Sequence, residues 1–554
     1  MAGTVPRKRR RWFYLVLAAS VSALTGLVYT SQLLSLLTPD HWCRDLDVET
    51  LQEQLPLPPE DSKKFSVPLV RVPGRTHRSR FSQCQKYGGD LVGAYVVWVS
   101  ARRPEHRDTG VAIYCNQGWT YNYTNIFPTI PSQMNWVCGA KWKPYVVHCV
   151  FWLAAAAGIL LWSTASLRLG RPLVLLLALT LYLLGGLATL LATGFFSILV
   201  SRMVMGLSHF ALRHQALLSA LEAGDPGESR LILAVFLAAN TLATIIISFT
   251  GLLVTSWWWL TVIAMLPTIP CMMLTARLFL KTSQRQPLHL PHDDDIIAFH
   301  ICNDVKILEA PNEEHIQVEE RPQLRTPLLH LVWMASSLCY FGLTHNAPSL
   351  VSSALGVRPT DAAVFSSCWY AALMEAPCWG LPLLLPSSWR RRWAIGASLA
   401  TTAILTVSPA LVSYGASAWV VLSLSLLARL AATAAYYTVL QHRMEVPLRD
   451  ETGQVAGEAL GGVSVALVPL IASLGEVNSR LPLLVLGSAA VVGALLSLWL
   501  KDRRINPTFG YMRISSWLDM LRQVQVSSRF SSSSDESGSK LDVSFLPYRP
   551  LECI

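Results

Sequence analysis

Glu375 and Arg429 each lie in the middle of a long apolar run. A charged side chain at the centre of a membrane span costs at least about 2.5–3.5 kcal/mol on insertion scales, so each invites a functional explanation. A carboxylate there attracts a cation or pairs with another helix, and Arg429 is its obvious partner. Once paired, each offsets the other's desolvation, and a substrate can compete for either. Trp333 and Tyr340 are seven residues apart, two turns along one helical face. Such rings can hold an organic cation through cation–π contacts of about 0.5–2 kcal/mol each, or they can simply pack. Arg202 and Glu222 bracket a further apolar run, with His209, Arg213 and His214 between them. Those three can form an anion site or a proton relay, although solvation near a cytoplasmic end is the plainer reading. His345 and Asn346 are weaker binding candidates.

Other chemistries find little support. Cys43, Cys84, Cys115 and Cys138 share one hydrophilic loop and read as disulfide formers, with three connectivities open. Cys149, Cys271, Cys339, Cys368 and Cys378 lack metal-site spacing and read as small buried hydrophobes. Asn122-Tyr-Thr124 is a glycosylation sequon. There is no glycine-rich phosphate loop ending in Lys-Ser/Thr, no His-Glu-x-x-His and no paired-cysteine motif. The expectation is a protein that is not an enzyme, with no cofactor, no metal and no ATP-driven engine.

The elements that must position these residues are membrane spans. The 554 residues are 52% hydrophobic and 14% charged, against about 25% charged in soluble domains. Mean hydropathy is +0.39. The net charge of +10 does not point to nucleic acid, because the basic residues collect beside apolar runs. A basic N-terminus (1–11) precedes a first run (12–36) too long for a cleaved signal core. A loop follows at 37–143, then five apolar runs within 145–280, a hydrophilic segment at 281–326 and six runs within 327–501. The Ser-rich end, 502–554, reads as disordered. The total is twelve spans arranged six, loop, six: an all-α polytopic protein of two pseudo-symmetric bundles. By hydropathy the fourth run is the weakest, since Arg202, His209, Arg213 and His214 interrupt it.

With the N-terminus inside, Arg168/Arg171, Arg390–Arg392, Arg443/Arg449 and Lys501/Arg503/Arg504 all fall in the cytoplasm. Arg358 and Arg480 are exceptions on the outside turns. This places both termini inside, the cysteine loop outside and the lipid bilayer around the chain. The turn Ser163–Pro172 between the second and third spans is basic and glycine-containing, with an echo at Pro386–Trp393.

Six-loop-six with a cysteine-bearing first outside loop resembles the major facilitator superfamily, and more narrowly solute carrier family 22, the organic cation, anion and carnitine transporters. The matching stretches are Thr38–Cys43, Cys115–Tyr121, Asn135–Cys138, Trp257–Leu260, Trp333–Asn346, Met374–Pro377, Pro447–Gly453 and Leu481–Gly487. The resemblance implies that Glu375, Trp333, Tyr340 and Arg429 line a cavity for a small organic ion. It implies that Arg168, Gly170, Arg171, Arg202, Gly206 and Glu222 belong to the conformational switch.

Departures are equally specific. The hinge turn carries Ser163, Leu167 and Pro172 where the superfamily has glycine, aspartate and a basic residue. The eleventh-span position that is aspartate in cation carriers and arginine in anion carriers is Gly462, with Glu458 one turn away. Glu375 tilts the expectation to organic cations or zwitterions, carried by facilitated or gradient-driven alternating access in the plasma membrane. Leu167 supports a rival: a non-transporting receptor or binding protein on the same scaffold.

Overall fold

The computed structural model describes residues 7–45, 63, 66–71, 79–89, 93, 97, 100, 111–124, 126–283, 325–355, 362–384, 391–411, 418–445, 451–478 and 480–500. Most of the central hydrophilic segment, the Ser-rich end, Arg358, Arg390, Arg449, Lys501, Arg503, Arg504 and the side chain of Cys368 lie outside the described residues.

Ten helices among the described residues are long and apolar enough to cross a bilayer. The first half contains α1 (Arg7–Ser35), α2 (Lys143–Leu169), α3 (Arg171–Leu190), α4 (Phe195–Ala223) and α5 (Ser229–Leu253). Its sixth rod is α6 (Trp257–Met265) continued by α7 (Thr268–Ser283). The second half contains α8 (Arg325–Leu355), α9 (Ala362–Glu375), α10 (Arg391–Leu411), α11 (Ala418–Glu445), α12 (Glu451–Ala466) with α13 (Val468–Ser473), and α14 (Leu481–Ser497).

The rod begun by α9 breaks into a 3-10 turn at Ala376–Gly380 and resumes at Leu381–Leu384. Pro377 and Pro382 explain the break, since neither can donate a helical hydrogen bond. This interrupted rod and the 17-residue α14 fall outside the ten by length. By hydropathy the fourth run is not the weakest span, because α4 is more apolar across its best window than α8 is.

Within the first half α2 packs on α4, α3 on α4 and α1 on α5. Within the second, α10 packs on α11 and α14, and α8 on α11. The halves meet where α12 lies on α2 and α9 lies on α5. At the hinge end Gly170 adopts φ +80° and ψ 151°, which a side chain would strain, and so lets α2 turn directly into α3. Pro172 follows within the first turn of α3, where no donor is lost.

Among its described residues the loop holds three two-stranded antiparallel ribbons: β1 (His41–Cys43) with β6 (Trp119–Tyr121), β2 (Leu69–Arg71) with β3 (Ser79–Phe81), and β4 (Gln85–Gly88) with β5 (Val111–Tyr114). Disulfides join Cys43 to Cys115 and Cys84 to Cys138, selecting one of the three open connectivities. Cys149, Cys271, Cys339 and Cys378 carry free thiols, the last three buried.

Candidate functional site

A column of rings and guanidinium groups runs down the second half between α8 and α11. Tyr436 stacks on Tyr340 with centroids 4.5 Å apart and planes 12° from parallel. On Trp333 it stacks at 4.8 Å and 24°. Arg429 caps the Tyr340 end at 4.2 Å from the ring centroid, and Arg443 caps the Trp333 end at 4.3 Å. Seven-residue spacing produces the alternation, because 333 and 340 on α8 interleave with 429, 436 and 443 on α11. Each cap is held by an acid: Arg429 by Glu375 of α9, and Arg443 by Glu458 of α12 at 2.7 Å. Arg429 also donates to the Tyr340 carbonyl at 2.5 Å, and Arg443 to the Gln454 carbonyl at 2.9 Å. All these groups except the half-buried Glu458 are buried.

The structure adds to three sequence readings here. Arg443, placed by its charge in a cytoplasmic loop, is 1% exposed inside the last turns of α11. Trp333 and Tyr340 do share a face, but their ring faces are taken up by Arg443, Tyr436 and Arg429, leaving a substrate chiefly their edges. Gly462 has no room for an acid or an arginine, because a Cβ there would lie 2.8 Å from Phe210 and 2.9 Å from Ala156. The absence of a charge at that position is thus a packing requirement between α12, α2 and α4.

Two narrow cavities flank the column. The first is lined by Thr25, Tyr29, His209, Arg213, Asn240, Tyr340, Glu375, Arg429 and Tyr436, among others. The second lies toward the hinge end, with His214, Phe236, Trp333, Met444 and Glu458, and it shares Arg213 and Tyr436 with the first. Each is about 30 Å³ in volume, room for little more than a water molecule. His209 and His214 are buried, which corrects the solvated reading of that stretch. His209 Nδ1 lies 3.0 Å from the Tyr182 hydroxyl.

The residues assigned to the switch divide into two groups. Near the hinge turn, Arg171 pairs with Glu222 at 2.5 Å, tying the start of α3 to the end of α4. Gly170 makes the turn, and Arg168 is exposed beside it. Arg11 pairs with Asp225 and, at 3.1 Å, with Glu228, extending this network to α1. Arg202 lies elsewhere, 1% exposed toward the loop end, with Gln32 Oε1 accepting at 3.4 Å. Gly206 allows α4 to touch α2, since a Cβ there would sit 2.3 Å from the Phe151 carbonyl.

At the loop end the halves are latched. Glu476, after α13, takes Lys141 at 2.5 Å and the Tyr145 hydroxyl at 3.1 Å, both from the start of the first half's second rod. Deeper, His148 of α2 meets His345 of α8 with ring centroids 5.0 Å apart. Asn346 donates to the Gly342 carbonyl of its own helix at 2.9 Å. In the loop, His41 Nδ1 donates to the Pro39 carbonyl, 2.9 Å away. Burial and nearby Lys63 hold its imidazole below the usual range. Asn122 Oδ1 accepts from the Thr124 hydroxyl at 2.6 Å and stays exposed, as a sequon asparagine must be.

Two six-rod halves around a central, charge-bearing cavity define a membrane carrier scaffold. The profile described as Major Facilitator Superfamily matches residues 120–469. The chain belongs to that superfamily, within which it is a divergent member similar to solute carrier family 22. Solute carrier family 22 member 1 of Oryctolagus cuniculus is 24% identical over 526 residues, 90% of each chain. The carcinine transporter of Drosophila melanogaster is 23% identical over 514 residues, covering 86% of this chain and 72% of the other. Solute carrier family 22 member 7 of Homo sapiens is 25% identical over 428 residues, 73% and 76% of the two.

Among solved structures, the human organic anion transporter MFSD10 aligns with TM-score 0.53 at 14% identity, over 89% of this chain and all of that one. The xylose transporter XylE of E. coli, in a partially occluded inward-open state, aligns at 0.54 and 12%, over 91% and 100%. These two establish the fold alone. The chain is a multi-pass membrane protein of a transporter family, and not an enzyme.

Proposed function

We propose that this protein moves small organic ions across a membrane by alternating access, with the substrate bound between the halves beside Glu375, Arg429, Tyr340 and Trp333. The observation that carries the proposal is the buried Glu375–Arg429 pair on the wall of a cavity that both halves line. A substrate that offers its own charges can exchange partners with such a pair. That exchange converts ligand binding into helix movement, as rocking about a midplane site requires. The pair tempers the expectation of simple cations, because Glu375 is already neutralised. It fits a zwitterion, whose ammonium and acid can take Glu375 and Arg429 together. The plasma membrane, cytoplasmic termini and an outward loop complete the proposal, resting on charge asymmetry and on the disulfides. No ATP site is proposed, so transport is facilitated, down the substrate's own gradient, or driven by the gradient of another solute.

The test is uptake of labelled cations, anions and zwitterions into proteoliposomes containing the full chain. At least one class accumulates, and Glu375→Gln lowers its rate at least about tenfold, since it leaves Arg429 buried without its partner. Folded protein that moves none of the three, with Glu375→Gln indistinguishable from wild type, overturns it. One observation favours a receptor instead: Leu167 supplies no acid at the hinge turn, and the Arg171–Glu222 pair stays within one half. Cysteine labelling from one face only, whatever ligand is present, selects that reading.

A further inference from the structure

Charges on the walls of the two cavities do not cancel. Glu375 is taken by Arg429 and Glu458 by Arg443. Arg213 lines both cavities, yet among the described residues it has no carboxylate within ion-pairing distance. Its protein partners are neutral: Nη1 donates to Asn240 Oδ1 at 2.8 Å, and the guanidinium sits 5.4 Å from the Phe236 ring centroid. A guanidinium has five N–H donors, so most remain for a ligand. Arg202, the other arginine of α4 without an acid, is buried but lines neither cavity. His209 and His214 also face this space and add no negative charge under any protonation state.

We infer that Arg213 is the anion-docking and charge-selecting residue of this protein, so that its substrates carry a carboxylate or similar acidic group. The inference rests on the carrier reading for its biological meaning, but binding alone can test it. A fixed cation shared by two cavities raises the local concentration of anions and repels cations. Phe236 and Asn240 hold the guanidinium plane in place, which favours a planar, two-pronged acid. The position also follows from the packing at Gly462: no charged side chain fits there, and Phe210, which excludes it, is three residues from Arg213 on α4. Arg213 is shared by both spaces, so an acid can keep one contact while passing from the Arg429 side to the Arg443 side. A pure cation has no such foothold.

Benzoate, phenylalanine and benzyltrimethylammonium share one ring and differ in charge, and they serve as probes. Thermal shift and equilibrium dialysis on the purified full chain are expected to register benzoate and phenylalanine and not benzyltrimethylammonium. Arg213→Gln weakens benzoate at least about tenfold, the loss of a charged hydrogen bond, while Arg213→Lys retains part of the affinity. Asn240→Asp provides an independent check if Arg213→Gln does not fold. It sets a carboxylate against the intact arginine and is expected to abolish benzoate binding. Equal binding of benzoate by wild type and both neutralising variants, or preference for benzyltrimethylammonium, overturns the inference. Proteoliposome uptake separates the two readings. Arg213-dependent binding without uptake leaves this inference standing and removes the carrier. Uptake of a cation unaffected by Arg213→Gln does the reverse.

Discussion

Tyr436 makes the clearest case at the scale of single residues, because nothing about a tyrosine in an apolar run marks it. It lies between Tyr340 and Trp333 and connects two arginines that are otherwise seven residues from it in either direction. Tyr436→Ala is expected to destabilise the protein by about 3–5 kcal/mol, as large-to-small changes of buried aromatics do. Tyr436→Phe keeps the ring and should cost under about 1.5 kcal/mol. Thermal melts of purified protein decide this, and equal melting of the two variants would show that the stack contributes little.

The seven-residue spacing of Trp333 and Tyr340 was legible in the sequence, whereas the matching spacing of Arg429, Tyr436 and Arg443 gains its meaning only from the stack. Glu375 and Arg429 could be matched because each is a lone charge in an apolar run. Arg443 was legible as a basic residue at the end of a span, but its burial was not, because that depends on Glu458 from another helix. Arg213 was visible as an intramembrane charge. That it is unmatched could be known only from every neighbour's position.

Among the elements, the disulfide loop and the latch below it decide how the loop end closes. Which cysteines pair depends on the ribbons: β1 meets β6, and the Cys115 amide donates to the Cys84 carbonyl at 3.2 Å, bringing the two disulfides together. No sequence spacing encodes that. Glu476 is the acid shared by Lys141 and Tyr145, so Glu476→Ala removes the described polar latch between the halves there. The half-buried thiol of Cys149, on the latched helix, is the reporter. Glu476→Ala should raise its labelling by a membrane-impermeant maleimide several-fold, read by mass spectrometry. Unchanged labelling would assign closure to the deeper contacts, such as His148 with His345.

For the whole molecule, twelve rods in two halves were legible because apolar runs and basic turns both repeat. The interfaces between the halves were not, since α12 on α2 and α9 on α5 present ordinary small and apolar residues. Leu167→Asp tests the hinge turn at this scale. The new acid lies in the last turn of α2, across the Gly170 turn from Arg171, and offers it an alternative to Glu222. The variant is expected to shift the balance of inward and outward labelling, with a change in uptake. If neither changes, the switch the superfamily places here no longer operates in this chain.

The column between α8 and α11 also bears on mechanics. Five flat groups in series, clamped at both ends by acids on α9 and α12, resist sliding of one helix past another. That makes the second half a stiff lever, with little slack to absorb strain internally. Any displacement a ligand produces at Glu375 is therefore passed to the contacts between the halves, among them that of α12 with α2, where Gly462 meets Ala156. The glycine that removed a charge selector also left this protein a bearing.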